Sequence, residues 1–136
     1  MKGRILIGMV ILLSALIMFL QCSTTPQGPP KPGVPRISNL TVPNTVILGQ
    51  RFPISFQFED SEADISTVTL TFEWSWGGPT FSESKSYDAG VYGKTNGTCV
   101  TSGFAGRLPP VFTLWIFVED AKGNKSNMLR TSISTK

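Results

Sequence analysis

Residues 51–59 read RFPISFQFE. Phe52, Ile54, Phe56 and Phe58 recur at every second position, and Pro53, Ser55, Gln57 and Glu59 alternate with them. A strand turns successive side chains to opposite faces, so this period makes one apolar face and one polar face. The stretch predicts a half-buried β-strand, and its neighbours repeat the pattern.

Val68, Leu70, Phe72, Trp74 and Trp76 alternate with Thr67, Thr69, Thr71, Glu73 and Ser75. That phase places Trp74 and Trp76 in the core beside Phe72. In residues 111–119, Phe112, Leu114, Ile116 and Val118 share one face. The other face carries Val111, Trp115 and Phe117, which predicts cover on both sides. Weaker strand signals fall at residues 36–42, 45–48, 80–87, 97–103 and 127–134. Turn residues separate them: Pro43-Asn44, Gly49-Gln50, Gly77-Gly78-Pro79, Asp88-Ala89-Gly90, Asn96-Gly97, Pro109-Pro110 and Lys122-Gly123-Asn124. Seven or eight short strands in about 100 residues, with no helical period and no repeat, predict an all-β domain folded as a two-sheet sandwich.

The N-terminus has a different character. Lys2 and Arg4 precede residues 5–20, sixteen residues without a charge. A basic start and an apolar run make an export signal. As a helix the run is about 24 Å long, short of the roughly 30 Å hydrocarbon core. It ends at Phe19-Leu20-Gln21-Cys22. Residues 23–36, STTPQGPPKPGVPR, hold five prolines in fourteen positions. Such a stretch is expected to be extended and solvated, a semi-rigid tether reaching roughly 40 Å. The organisation expected is a signal helix over 1–22, a tether over 23–36 and a sandwich over 37–136.

Charge removes one class of partner. The formal net charge is +3, but from residue 37 onward eight basic residues face nine acidic ones. The basic residues are scattered singly, whereas nucleic-acid binding needs a basic face. The chain has no histidine. It also lacks a Gly-x-Ser-x-Gly elbow, a phosphate loop and a His/Cys metal set, so a non-catalytic protein is expected.

Three sets of residues carry candidate chemistry. Glu59, Asp60, Glu62 and Asp64 follow one core strand, and Glu119, Asp120 and Asn124 follow another. If both loops lie at one pole of the sandwich, Asp60, Glu62, Asp64, Asp120 and Asn124 offer oxygens to Ca²⁺, which takes six to eight. The alternative is a set of solvated turn residues paired with Lys122 and Lys125. Trp115, out of phase with its core set, is the candidate for an exposed aromatic that stacks on a sugar. Its alternative is contact with a neighbouring loop. Cys99 has no histidine to make it a thiolate and is expected to be a small buried side chain.

Two resemblances follow from these residues. The end of the apolar run resembles a bacterial lipoprotein signal, in which a short box precedes the cysteine that receives lipid. Here Phe19, Leu20 and Gln21 stand where that family has Leu, a small residue and Gly or Ala. The resemblance implies lipidation of Cys22, anchoring in a membrane and a place in the cell envelope, at the outer membrane in a host that has one. A cleaved signal and an uncleaved anchor are the alternatives. The domain resembles the immunoglobulin-like modules of bacterial surface proteins. Residues 45–52, the aromatic segment Phe72-Glu73-Trp74-Ser75-Trp76-Gly77-Gly78 and residues 118–124 carry the likeness, PKD-type domains among the comparators. The Asp between glycines and the later His-Tyr pair of PKD domains are missing. This resemblance implies an immunoglobulin-like sandwich that binds or spaces, with an envelope protein as partner and a glycan as the alternative ligand.

Overall fold

A computed structural model describes residues 31–136. The expected export signal, Cys22 and the first part of the expected tether lie outside the described residues. Eight strands follow in order: β1 (Arg36–Thr41), β2 (Thr45–Val46), β3 (Arg51–Glu59), β4 (Ile65–Ser75), β5 (Thr80–Asp88), β6 (Asn96–Phe104), β7 (Val111–Asp120) and β8 (Leu129–Thr135). They form a three-stranded sheet, β1-β3-β6, and a five-stranded sheet, β2-β8-β7-β4-β5. All pairings are antiparallel except β2 with β8. The chain changes sheets at each step from β1 to β4, again after β5 and after β6, and returns β8 beside β7. This is the immunoglobulin arrangement, and the domain is an immunoglobulin-like sandwich.

The alternation in β3 does what its spacing dictates. Phe52, Ile54, Phe56 and Phe58 are all buried. They face β6, whose inward positions are Gly103, Thr101, Cys99 and Gly97 in register with them. Small residues on one strand make room for large ones on the next, so packing density is kept. Phe52, Phe72 and Phe112 join the two sheets, with ring centroids 5.9–6.4 Å apart. Val68, Leu70, Leu114, Ile116, Val118 and Ile133 complete the centre.

Two expectations are corrected. Trp76 is 62% exposed. β4 ends at Ser75, whose hydroxyl accepts from Gly77 N–H at 3.2 Å and donates to the Gly78 carbonyl at 2.9 Å. The chain has begun its hairpin turn, so the strand phase no longer directs the Trp76 side chain inward. The end of the proline-rich stretch also departs from a solvated tether. Pro35 is buried, Val34 N–H closes a turn on the Lys31 carbonyl at 3.2 Å, and the Gly33 carbonyl accepts from Asn124 Nδ2 at 3.3 Å.

Candidate functional site

The chain enters the domain at the pole formed by residues 60–64 and 121–128. Both loops are built the same way. Asp60, 2% exposed, ends β3 and turns its carboxylate back on its own loop. It accepts from the backbone N–H groups of Glu62 at 3.1 Å, Asp64 at 2.8 Å and Ile65 at 3.2 Å. Asp120 ends β7 and accepts from the N–H groups of Lys122 at 2.9 Å and Asn124 at 2.8 Å, and from Asn124 Nδ2 at 2.7 Å. A short acceptor two and four residues before the amides it binds is an Asx-type staple, and it satisfies donors that would otherwise be buried unpaired. Ala121 N–H donates to the Asp64 carbonyl at 2.9 Å and ties the loops together.

Of the five residues expected to offer oxygens to a cation, the fold converges three. Carboxylate oxygens of Glu62, Asp64 and Asp120 lie within 4.8 Å of one another. Asp60 and Asn124 are committed to the staples. The Lys122 ammonium pairs with Glu62 beside the cluster. Asp64 Oδ1 is buried with no hydrogen-bond partner. Loss of water, then the carboxylates of Asp120, Asp60 and Glu62, push the Asp64 carboxyl above the ordinary range, and Lys122 pulls it back. Burial acts on Asp120 in the same upward direction, but hydrogen bonds from Asn124 and Lys122 outweigh it and hold that carboxyl below its ordinary value. The donor set suits a hard cation in type, and an ammonium already serves it.

Trp115 lies on the outer face of the five-stranded sheet. It is half-buried rather than open, because the Arg130 guanidinium sits over its ring at 5.2 Å from the centroid. Lys125 covers Phe117 in the same way at 5.3 Å. A sugar stacking on Trp115 must first displace an arginine. Across the same face, hydroxyls pair between β4 and β5, Thr69 with Ser86 at 2.8 Å and Thr71 with Ser84 at 2.7 Å. Cys99 is buried and has no disulfide partner among the described residues. Burial raises its pKa, which keeps it protonated and unreactive at neutral pH.

The strand signal at 80–87 is met by β5; what sequence reading missed is its exposure. Every one of its nine residues is exposed. It pairs with β4 over its whole length and, among the described residues, borders no strand on its other side. The facing sheet has three strands against five, so β5 overhangs it. The inward side of β5 carries Phe81, Glu83, Lys85 and Tyr87, opposite Trp74, Phe72, Leu70 and Val68. Phe81 stacks on Trp74 at 6.3 Å. Beneath the overhang lies a groove of about 330 Å³, walled by Trp74, Tyr87, Phe104 and Arg107 among others. Tyr87 is 41% exposed and Phe104 54%. Glu83 and Lys85 pair along the strand at 2.9 Å. A signal was present in the sequence: the even positions of β5 are Thr80, Ser82, Ser84, Ser86 and Asp88, while the odd ones mix aromatics with charge. A strand that is amphipathic but charged on its apolar side is one that the core does not cover.

No family model matches the chain, and no curated relative does. Solved structures share the outline. A PKD domain of an M14-like peptidase from a Thermoplasmatales archaeon is 19% identical, with TM-score 0.48, over 76% of this chain and 94% of its own. A Niemann-Pick type C2 protein from the Japanese carpenter ant is 14% identical, with TM-score 0.49, over 78% and 96%. The SrpA adhesin from Streptococcus sanguinis is 20% identical, with TM-score 0.45, over 76% and 57%. At these identities and scores none of them bears on what this chain binds.

Proposed function

We propose that this chain is a non-catalytic interaction module of the cell envelope, anchored by lipid on Cys22, which presents the free edge of β5 to a protein strand. One observation carries the reading: nine consecutive exposed strand residues with one side unpaired among the described residues and an aromatic groove beneath. An unpaired edge is a row of N–H and C=O groups ready for strand addition, with side-chain pockets to give specificity. The basic start, the apolar run and Cys22 support the anchor. Full-length chain purified from its own membranes is compared with Ser84→Pro, which removes an edge N–H. Wild type retains a strand partner that the variant loses; identical retention by both defeats the reading. Cys22→Ala tests the anchor separately, by membrane attachment and by the mass of the mature N-terminus.

A glycan is the second reading, and the groove favours it over Trp115. Trp74 and Tyr87 stand there with Glu83, Lys85 and Arg107 to bond hydroxyls. Quenching of tryptophan fluorescence across a glycan panel, lost in Tyr87→Ala, is the expected outcome of that reading. A Ca²⁺ ion, if it serves this domain, sits among Glu62, Asp64 and Asp120. A melting temperature unmoved by millimolar Ca²⁺ removes it.

A further inference from the structure

We infer that the strand added to β5 is β5 of a second copy, paired antiparallel about a two-fold axis through Ser84. The inference rests on the proposed use of this edge and names its occupant. The sequence of β5 is Thr80-Phe81-Ser82-Glu83-Ser84-Lys85-Ser86-Tyr87-Asp88. Reversed against itself about Ser84, it sets Glu83 opposite Lys85 and Lys85 opposite Glu83. Phe81 falls opposite Tyr87 at both ends. Ser82 meets Ser86, and Ser84 meets its own copy. An isologous contact requires this self-complementarity, each pair occurring twice.

The register is selected by charge. A slide of two residues one way sets Glu83 against Glu83, and the other way Lys85 against Lys85. A slide of four sets Phe81 against Glu83 or Lys85 against Tyr87. Like charges directly opposite are destabilising, and opposite charges and aromatic pairs are favourable. Centring on Ser84 also uses all nine residues. Opposed residues then have the same parity, so outward N–H groups of one copy meet outward C=O groups of the other. The apolar sides of both β5 strands turn the same way, and Phe81 and Tyr87 cover the space that each three-stranded sheet leaves open.

The inward charges explain specificity. Charges on the apolar side of an edge strand deter an arbitrary partner. Glu83 and Lys85 already pair along their own strand, and a partner that repeats the same order also sets each opposite its complement, which couples rejection of other strands to acceptance of its own kind. β5 contains no proline, and its register with β4 runs unbroken from Thr67–Asp88 to Ser75–Thr80. The edge therefore carries no bulge or proline to interrupt a partner.

The test is disulfide trapping in the full-length chain within its native membrane. Ser84 lies on the outer, solvated face, and across the axis its Cα atoms fall about 4.5–5.5 Å apart, within reach of a disulfide. Residue 82 lies about 13 Å from its own copy, four residues along the strand, which is out of reach. Ser84→Cys is therefore expected to give at least roughly ten-fold more disulfide dimer than Ser82→Cys or Ser86→Cys, while the double variant Ser82→Cys/Ser86→Cys also dimerises. Adding Glu83→Lys to Ser84→Cys lowers the yield, and adding Lys85→Glu as well restores it. Equal yields at 82 and 84, or no effect of the charge reversal, overturn the proposal. If Ser84→Cys traps a different envelope protein, the second copy is wrong and the interaction module stands. If residue 84 traps nothing, both fall.

Discussion

At the scale of single residues, the fold is most exacting where a missing side chain is the contribution. Gly103 faces Phe52 across β3 and β6. A Cβ at residue 103 would come within 2.8 Å of Phe52 Cε1, and that ring is already held against Phe72 and Phe112. Gly103→Ala is expected to cost about 1–3 kcal/mol, the range for overpacking a filled core, measured by urea unfolding. Gly103→Ala combined with Phe52→Leu should recover part of it, because the second change frees the space that the first one takes. Asp64 behaves in the opposite sense. Its carboxyl is pushed up, chiefly by loss of water and then by three neighbouring carboxylates, and no partner satisfies Oδ1. Asp64→Asn removes the repulsion and leaves both staples in place. The expected outcome is a higher melting temperature at pH 7, read by circular dichroism. A lower one would mean that the attraction between Asp64 and Lys122 outweighs the repulsion among the carboxylates.

At the scale of elements, Trp74 is the link between the core and the overhanging strand. It is half-buried against the core, and its ring stacks on Phe81 of β5. Trp74→Ala should cost about 2 kcal/mol, below the roughly 3–5 of a fully buried aromatic. It should also raise hydrogen exchange in β5 well before it does so in β3. Uniform acceleration across both strands would show that β5 has no separate stability. This division between elements also marks what was legible in the sequence. The strands that carry the core were readable to within a residue or two, because burial on one face imposes the two-residue period. Arg51–Glu59 was readable in full. The small inward positions Gly97, Cys99, Thr101 and Gly103 weakened the signal of β6, since they only make sense opposite four large residues of a strand forty positions away. Trp76 was misplaced because alternation says nothing of where a strand ends. The exposure of β5 was hinted at only by charges among its aromatics, because its cause, a facing sheet two strands narrower, is recorded in no local pattern. At the acidic pole, the meeting of two loops was readable from topology. The staples that consume Asp60 and Asn124 were not, because they depend on loop conformation.

At the scale of the whole molecule, those staples make stability depend on pH. Asp120 has its pKa depressed in the folded state by bonds from Asn124 and Lys122 that outweigh burial. A depressed carboxyl contributes stability that is present above its unfolded value, about 3.9, and is lost as pH falls through the lower folded value. Asp64, raised, acts in the reverse direction: the folded state takes up its proton first, so stability rises as pH falls toward about 3.9. The two groups therefore act in different windows, Asp64 above that point and Asp120 below it. Asp120→Ala strands the N–H groups of Lys122 and Asn124 at the turn that joins β7 to β8, and should cost about 1–3 kcal/mol at pH 7. The cost should shrink in acid, as pH falls through that lower folded value and the wild-type carboxylate is itself neutralised. Urea unfolding of both proteins at pH 7 and in acid checks this. A penalty that is the same at both would mean that the turn is held by its backbone and the ionised carboxylate adds nothing. The pole matters beyond its own energy, because Asn124 also holds the Gly33 carbonyl where the chain enters the domain. Loss of the Asp120 staple should therefore release the segment at residues 31–35 along with the loop. Hydrogen exchange at the Val34 N–H, bonded to the Lys31 carbonyl, should then rise by more in Asp120→Ala than exchange across β3 does.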